Sequence, residues 1–125
     1  MTARLLLTLT AYCGATLFSM HAVADTSEKL KTAIADDARG TVDMARDANR
    51  KPRQTLEFFG LKDDMKVLEL VPGEGWYTKI LAPVLAESGA LQVAIGTDRV
   101  KPMLETGALE NVDVVSITVS KMARE

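Results

Sequence analysis

Val67-Leu68-Glu69-Leu70-Val71-Pro72-Gly73-Glu74-Gly75-Trp76-Tyr77-Thr78 decides how the rest of the chain is read. An apolar run of strand length, opening at Met65, enters a tight Pro-Gly turn and leaves as a helix. Ile80, Leu81, Val84 and Leu85 continue one apolar stripe at helical spacing to about Glu87, with Pro83 expected to kink the helix and Gly89 to end it. Leu91 to Ile95 reads as a second strand, Val100 to Leu109 as a short helix starting near Pro102, and Val112 to Val119 as a third strand rich in β-branched residues. Alternation of strand and helix predicts right-handed crossovers and a parallel sheet with flanking helices, an α/β fold in which the first strand is buried.

Upstream of the stretch, Lys62-Asp63-Asp64 makes a polar turn, and residues 52 to 59 read as a helix with Pro52 at its start and Gly60 as its stop. Residues 25 to 50 are rich in charge and alanine, with Leu30, Ile34, Val42 and Met44 as sparse apolar positions. Gly40 is expected to separate two helical pieces there.

Ligands of open parallel sheets bind at the carboxyl ends of the strands, where this turn lies. Gly73 and Gly75 can adopt backbone angles closed to other residues and let a ligand approach the main chain. The helix that follows offers unpaired amides. A dinucleotide fingerprint is incomplete, because Thr78 occupies the third glycine position, and the Gly-Lys-Ser/Thr of a phosphate loop is absent. What remains is an acidic residue inside a strand, Glu69, followed four and six residues later by a glycine pair.

This pattern resembles motif I of the class I S-adenosylmethionine-dependent methyltransferases. Arg46-Asp47, Arg50-Lys51-Pro52, Leu56-Glu57-Phe58-Phe59-Gly60-Leu61, Pro72-Gly73-Glu74-Gly75-Trp76-Tyr77-Thr78 and Ile80-Leu81-Ala82-Pro83 are similar to exported members of that group with a Pro-Gly-x-Gly-Trp-Tyr-Thr turn. The similarity is dense from Arg46 to about Gly96 and fades afterwards. It implies a Rossmann-like parallel sheet over residues 51–125, the N-terminal half of the methyltransferase fold, and S-adenosylmethionine as cofactor. By that resemblance Glu69, Pro72, Gly73, Gly75, Trp76, Tyr77 and Asp98 form the cofactor side of the site. Gly73 and Gly75 would line the methionine part, and Glu69 would order the loop and meet the ligand's amino group. Asp98 stands a few residues beyond the place, at Ile95 or Gly96, where the family has its ribose-binding acid.

Each of these residues also has a plainer reading. The glycines can make a turn that holds no ligand, Glu69 can cap nearby amides, and Asp98 can cap the following helix. Trp76 and Tyr77 could face a sulfonium cation or pack in the core. Arg46, Arg50 and Lys51 either meet an anionic group at the pocket mouth or form a solvated helix face paired with Asp43 and Asp47.

The first residues bear on compartment. Arg4 precedes an uncharged run from Leu5 to Met20, which exits through Ala22-Val23-Ala24. That layout predicts a signal peptide over 1–24 with cleavage before Asp25, hence a periplasmic or secreted protein with no stable membrane anchor afterwards. A spanning helix would need about 20 strongly apolar residues, and Thr8, Thr10, Gly14, Thr16 and Ser19 dilute this run. Tyr12 before Cys13 argues against lipidation.

Cleavage would remove Arg4, Cys13 and His21, taking Lys+Arg from 15 to 14 against Asp+Glu 17 and the net charge from −2 to −3. The mature chain would then have no disulfide, no Cys/His metal cluster, no thiol nucleophile and no imidazole base. A mildly acidic domain gives no reason to expect nucleic acid. The acceptor pocket of the resembled enzymes is built from later strands. The expectation is therefore a truncated chain that keeps the cofactor half-site, for a small-molecule methyl acceptor, with no catalytic residue to assign. The alternatives are a non-catalytic periplasmic module for a small ligand or partner, and a non-functional fragment.

Overall fold

The computed structural model describes residues 18–107, 109 and 111–117, with side chains from residue 26. Helices α1 (Phe18–Ile34), α2 (Thr41–Ala45), α3 (Asp47–Arg50) and α4 (Pro52–Phe58) precede strand β1 (Lys66–Leu70). Then follow α5 (Thr78–Leu85), β2 (Ala90–Ala94), α6 (Lys101–Glu105) and β3 (Val112–Val115). Short 3-10 turns at Asp37–Arg39 and Thr97–Arg99 fill two of the connections.

The strands form one parallel sheet in the order β1-β2-β3. The α/β expectation therefore holds as a three-stranded parallel sheet flanked by helices. The register places Val67, Leu91 and Val112 side by side on one face, and these pack on the core of α1, α4 and α5. Ile80, Val84, Leu85 and Leu91 are fully buried there, as their helical spacing predicts for the α5 positions. Gly89 admits the chain at its closest point, since a Cβ would stand 2.7 Å from the carbonyl oxygens of both Asp63 and Met65.

Four expectations shift. β1 is an edge strand and not a buried one: Leu68 and Leu70 lie on the opposite sheet face, which no described helix covers, and both are about half exposed. Residues 25 to 50 break into more pieces than the two predicted: α1 carries the segment to Ile34 with Leu30 and Ala33 in the core, and residues 35–50, with Val42 and Met44 as their large apolar positions, form only short pieces. α5 ends at Leu85, short of Glu87, and β3 ends at Val115; the predicted strand residues Thr118 and Val119 lie outside the described residues.

α1 is tied to the sheet by polar contacts as well as by Leu30 and Ala33. The Thr26 hydroxyl donates to Asp63 at 2.8 Å, and Lys29 bridges Asp63 and Glu87 at 2.8 and 2.7 Å. The hydrogen bonds from Lys29 and Thr26 hold the Asp63 carboxyl below the usual carboxylate range. Residues 1–17 of the expected leader lie outside the described residues, and α1 starts at Phe18. Among the described residues no helix is long and apolar enough to cross a membrane.

Candidate functional site

The turn after β1 leaves the extended region as soon as the strand ends. Val71 has φ 57°, although its amide still donates to the Ala94 carbonyl at 3.0 Å. The loop after β2 does the same, with Ile95 at φ 63° and Gly96 at φ 64°. A left-handed conformation is costly for β-branched residues, of the order of 1 to 3 kcal/mol each. The two strained loops adjoin at the carboxyl end of the sheet, where a Cβ on Gly96 would sit 3.9 Å from Val71 Cγ1.

The two glycines of the turn do different work. Gly73 has φ +60° and nothing within 4 Å of where a Cβ would be, so its bare face opens outward. Gly75, at φ +81°, has its space taken by the protein: a Cβ would be 2.7 Å from Met103 Cε and 3.1 Å from Val100 Cγ2. Gly75 therefore lets α6 close on the turn, and only Gly73 leaves room for something outside the chain. Pro72 between strand and turn is buried.

Glu69 points from β1 toward the start of α5, where its Oε2 accepts the Thr78 hydroxyl at 2.6 Å. Its partner is a side-chain hydroxyl, not the backbone amides that a capping role would use. Burial pushes the Glu69 carboxyl above the ordinary range, and the Thr78 hydrogen bond offsets part of that rise. No described residue forms an ion pair with it.

Trp76 is a core residue, 3% exposed, with its Nε1 donating to the Asp43 carbonyl at 2.9 Å. Two guanidiniums lie over its ring, Arg50 at 4.8 Å and Arg39 at 5.6 Å from the centroid. Tyr77 meets the indole edge-on, with centroids 4.6 Å apart, and stays half-buried. Packing thus claims Trp76, while Tyr77 keeps one side free. Asp98 belongs to the 3-10 turn, caps neither it nor α6, and stands 93% exposed with Lys101 at 3.6 Å. The structure brings Glu69, Pro72, Gly73, Gly75, Trp76 and Tyr77 together and leaves Asp98 in solvent.

Beneath the turn lies a polar cluster that sequence reasoning did not identify. Arg39 is buried and makes a two-pronged pair with Asp47 at 2.7 and 2.8 Å, donates to the Ile34 carbonyl at 2.6 Å, and leaves its Nε without a partner. Lys79 binds the Asp43 carboxylate at 2.5 Å. Asp43 and Asp47 are thus engaged by Lys79 and Arg39, and not by Arg46, Arg50 or Lys51 as the solvated-face reading expects. No spacing rule links Arg39 to Asp47 or Asp43 to Lys79.

Two clefts touch the turn region. One of about 740 Å³ runs along α5 and α6 and includes Glu74, Lys79, Met103 and Asn111. A smaller one of about 210 Å³ follows the open edge of β1 and includes Glu69 and Tyr77. Among the described residues no group of three or more His, Cys, Asp or Glu side chains could hold a metal.

No family model, curated protein or solved structure matches this chain. The turn itself presents an open main-chain face at Gly73, with the loop at Ile95 and Gly96 alongside, while the half-buried Glu69 carboxyl faces the start of α5.

Proposed function

We propose that this chain is a methyltransferase-like domain of Rossmann type that binds S-adenosylmethionine at the carboxyl ends of β1 and β2. The observation that carries the proposal is the bare, left-handed Gly73 at the carboxyl end of β1, with nothing within 4 Å of its missing side chain, open space that any Cβ would begin to fill. Gly73 would admit the methionine part of the ligand against the main chain, Glu69 would orient its ammonium group, and the loop at Ile95 and Gly96 would flank the nucleoside. Gly75, Pro72 and Trp76 hold the turn in shape, and Tyr77 borders the cleft. The bound cofactor supplies a methyl group on a sulfonium, which a nucleophilic acceptor attacks in line. No residue of this chain is assigned a catalytic role, and the acceptor is a small molecule on this reading.

Calorimetry with S-adenosylmethionine and with its demethylated product tests the site. Wild type is expected to bind both, and Gly73→Val to lose binding at least about tenfold because its side chain would stand where the ligand meets the main chain, equivalent to roughly 1.4 kcal/mol. A folded Gly73→Val protein that binds as wild type does would place the ligand elsewhere. We further propose that residues 1–24 are a signal peptide and the protein periplasmic or secreted. Sequencing the exported protein's first residue should give Asp25; retention of Met1 on a cytoplasmic protein would end that proposal.

A further inference from the structure

We propose that the groove along the open edge of β1 binds a small organic cation, an ammonium or sulfonium head carrying short apolar substituents. The groove, of about 210 Å³, is walled by Phe59, Val67, Leu68, Tyr77 and Leu81, with Glu69 as its one carboxyl group. Its shape follows from topology: among the described strands β1 ends the sheet, so none lies beside Leu68 and Glu69 on that side.

The chemistry favours a positive ligand for three reasons. First, Glu69 is half withdrawn from water, yet its only described polar partner is the neutral Thr78 hydroxyl. A carboxylate in that position lacks a counter-charge, and an incoming cation would supply it. Second, Tyr77 and Phe59 bring aromatic rings to the same groove, and ring faces attract cations. Tyr77 is pre-oriented by its edge-on contact with Trp76, with the planes at 80°. Third, the remaining wall is Leu56, Val67, Leu68 and Leu81 with Thr55, whose hydroxyl already donates to the Arg50 carbonyl, a lining that suits methyl or methylene substituents better than a strongly hydrated metal ion.

Gly73 does not line this groove, so the inference does not rest on the nucleoside reading. Glu69 is shared by the two, and the test therefore uses a ligand with no nucleoside. The full chain is titrated with choline and, separately, with the neutral alcohol in which carbon replaces the ammonium nitrogen. Amide NMR follows Leu68, Glu69 and Tyr77. Choline should shift these resonances and bind roughly tenfold more tightly than the neutral isostere. Glu69→Gln should reduce choline to the level of the isostere, and Phe59→Ser, at an exposed position, should weaken it severalfold without unfolding the chain. Gly73→Val should leave it unchanged. Equal binding of the two ligands, or no response to choline at tens of millimolar, overturns the proposal. So does full choline affinity in a folded Glu69→Gln or Phe59→Ser protein. Loss of S-adenosylmethionine binding with choline binding intact would separate the two sites.

Discussion

The two flanks of the turn invert the usual distribution of residues. On the flank toward the N-terminal helices, charged groups are inside: Arg39 with 1% of its side chain exposed, Asp43 at 9%, Asp47 and Lys79 mostly covered. Along the open edge of β1, apolar groups are outside: Phe58 at 85%, with Phe59, Leu68, Leu70 and Val71 also exposed. The difference teaches that burial here follows partners and not hydrophobicity. Each inside charge has an opposite charge or a carbonyl, which offsets its desolvation. Leu68 and Leu70 lie on the sheet face that no described helix covers, and Phe58 and Phe59 end α4 with their rings in solvent.

The comparison is broken most severely by removing Arg39. Arg39→Ala strands the Asp47 carboxylate and the Ile34 carbonyl, and is expected to cost about 3 kcal/mol, read as a lower denaturant midpoint with an unchanged slope. Loss of less than about 1 kcal/mol would show that the cluster is not a buried pair in solution. Trp76→Phe keeps an aromatic side chain but removes part of the buried indole together with the Nε1 donor to Asp43, leaving that carbonyl short of a partner; a loss of roughly 2 kcal/mol is expected by the same titration.

Glu69→Gln sharpens the contrast from the other side, where a buried carboxyl lacks a counter-charge. Because burial raises the folded-state pKa, the folded chain holds that proton more tightly than the unfolded chain does. The carboxyl's favourable contribution is complete below the ordinary carboxylate range and is lost as pH rises through the raised value. Glu69→Gln should therefore melt higher than wild type at neutral pH, with the two curves converging in acid. A constant offset at all pH values would refute the assignment. The smallest effect belongs to Phe58→Ser, since Phe58 is exposed and meets Phe59 edge-on with centroids 5.6 Å apart. Its stability should stay within about 0.5 kcal/mol, while self-association measured by sedimentation should fall if the exposed apolar edge drives it.

Much of the fold could be read from residues whose physics is local. Pro52 opens α4 and Gly60 closes it, with the Gly60 and Leu61 amides returning to Glu57 and Leu56 at 3.0 Å. The stripe of Ile80, Leu81, Val84 and Leu85 predicts the buried face of α5, and three β-rich runs separated by helices predict the parallel order. Val42 shows the limit: it reads as an apolar contact position, yet it is largely exposed while its neighbour Asp43 is buried. A segment of short turns has no fixed period, so side-chain direction there cannot be inferred from spacing.

The site divides along the same line. That a carboxylate-bearing strand ends in a flexible, side-chain-free bend is a property of the order of residues from Glu69 to Gly75, and needs no knowledge of distant neighbours. Which glycine is free and which is filled depends on α6, almost thirty residues later, bringing Met103 and Val100 onto Gly75 and nothing onto Gly73. Likewise, the run Val67 to Val71 is apolar enough for a buried strand, but whether both its faces are covered depends on how many strands and helices lie beside it. Backbone preference is set by each residue and its immediate neighbours; occupancy of space is set by segments remote in the chain, and only the tertiary structure decides it.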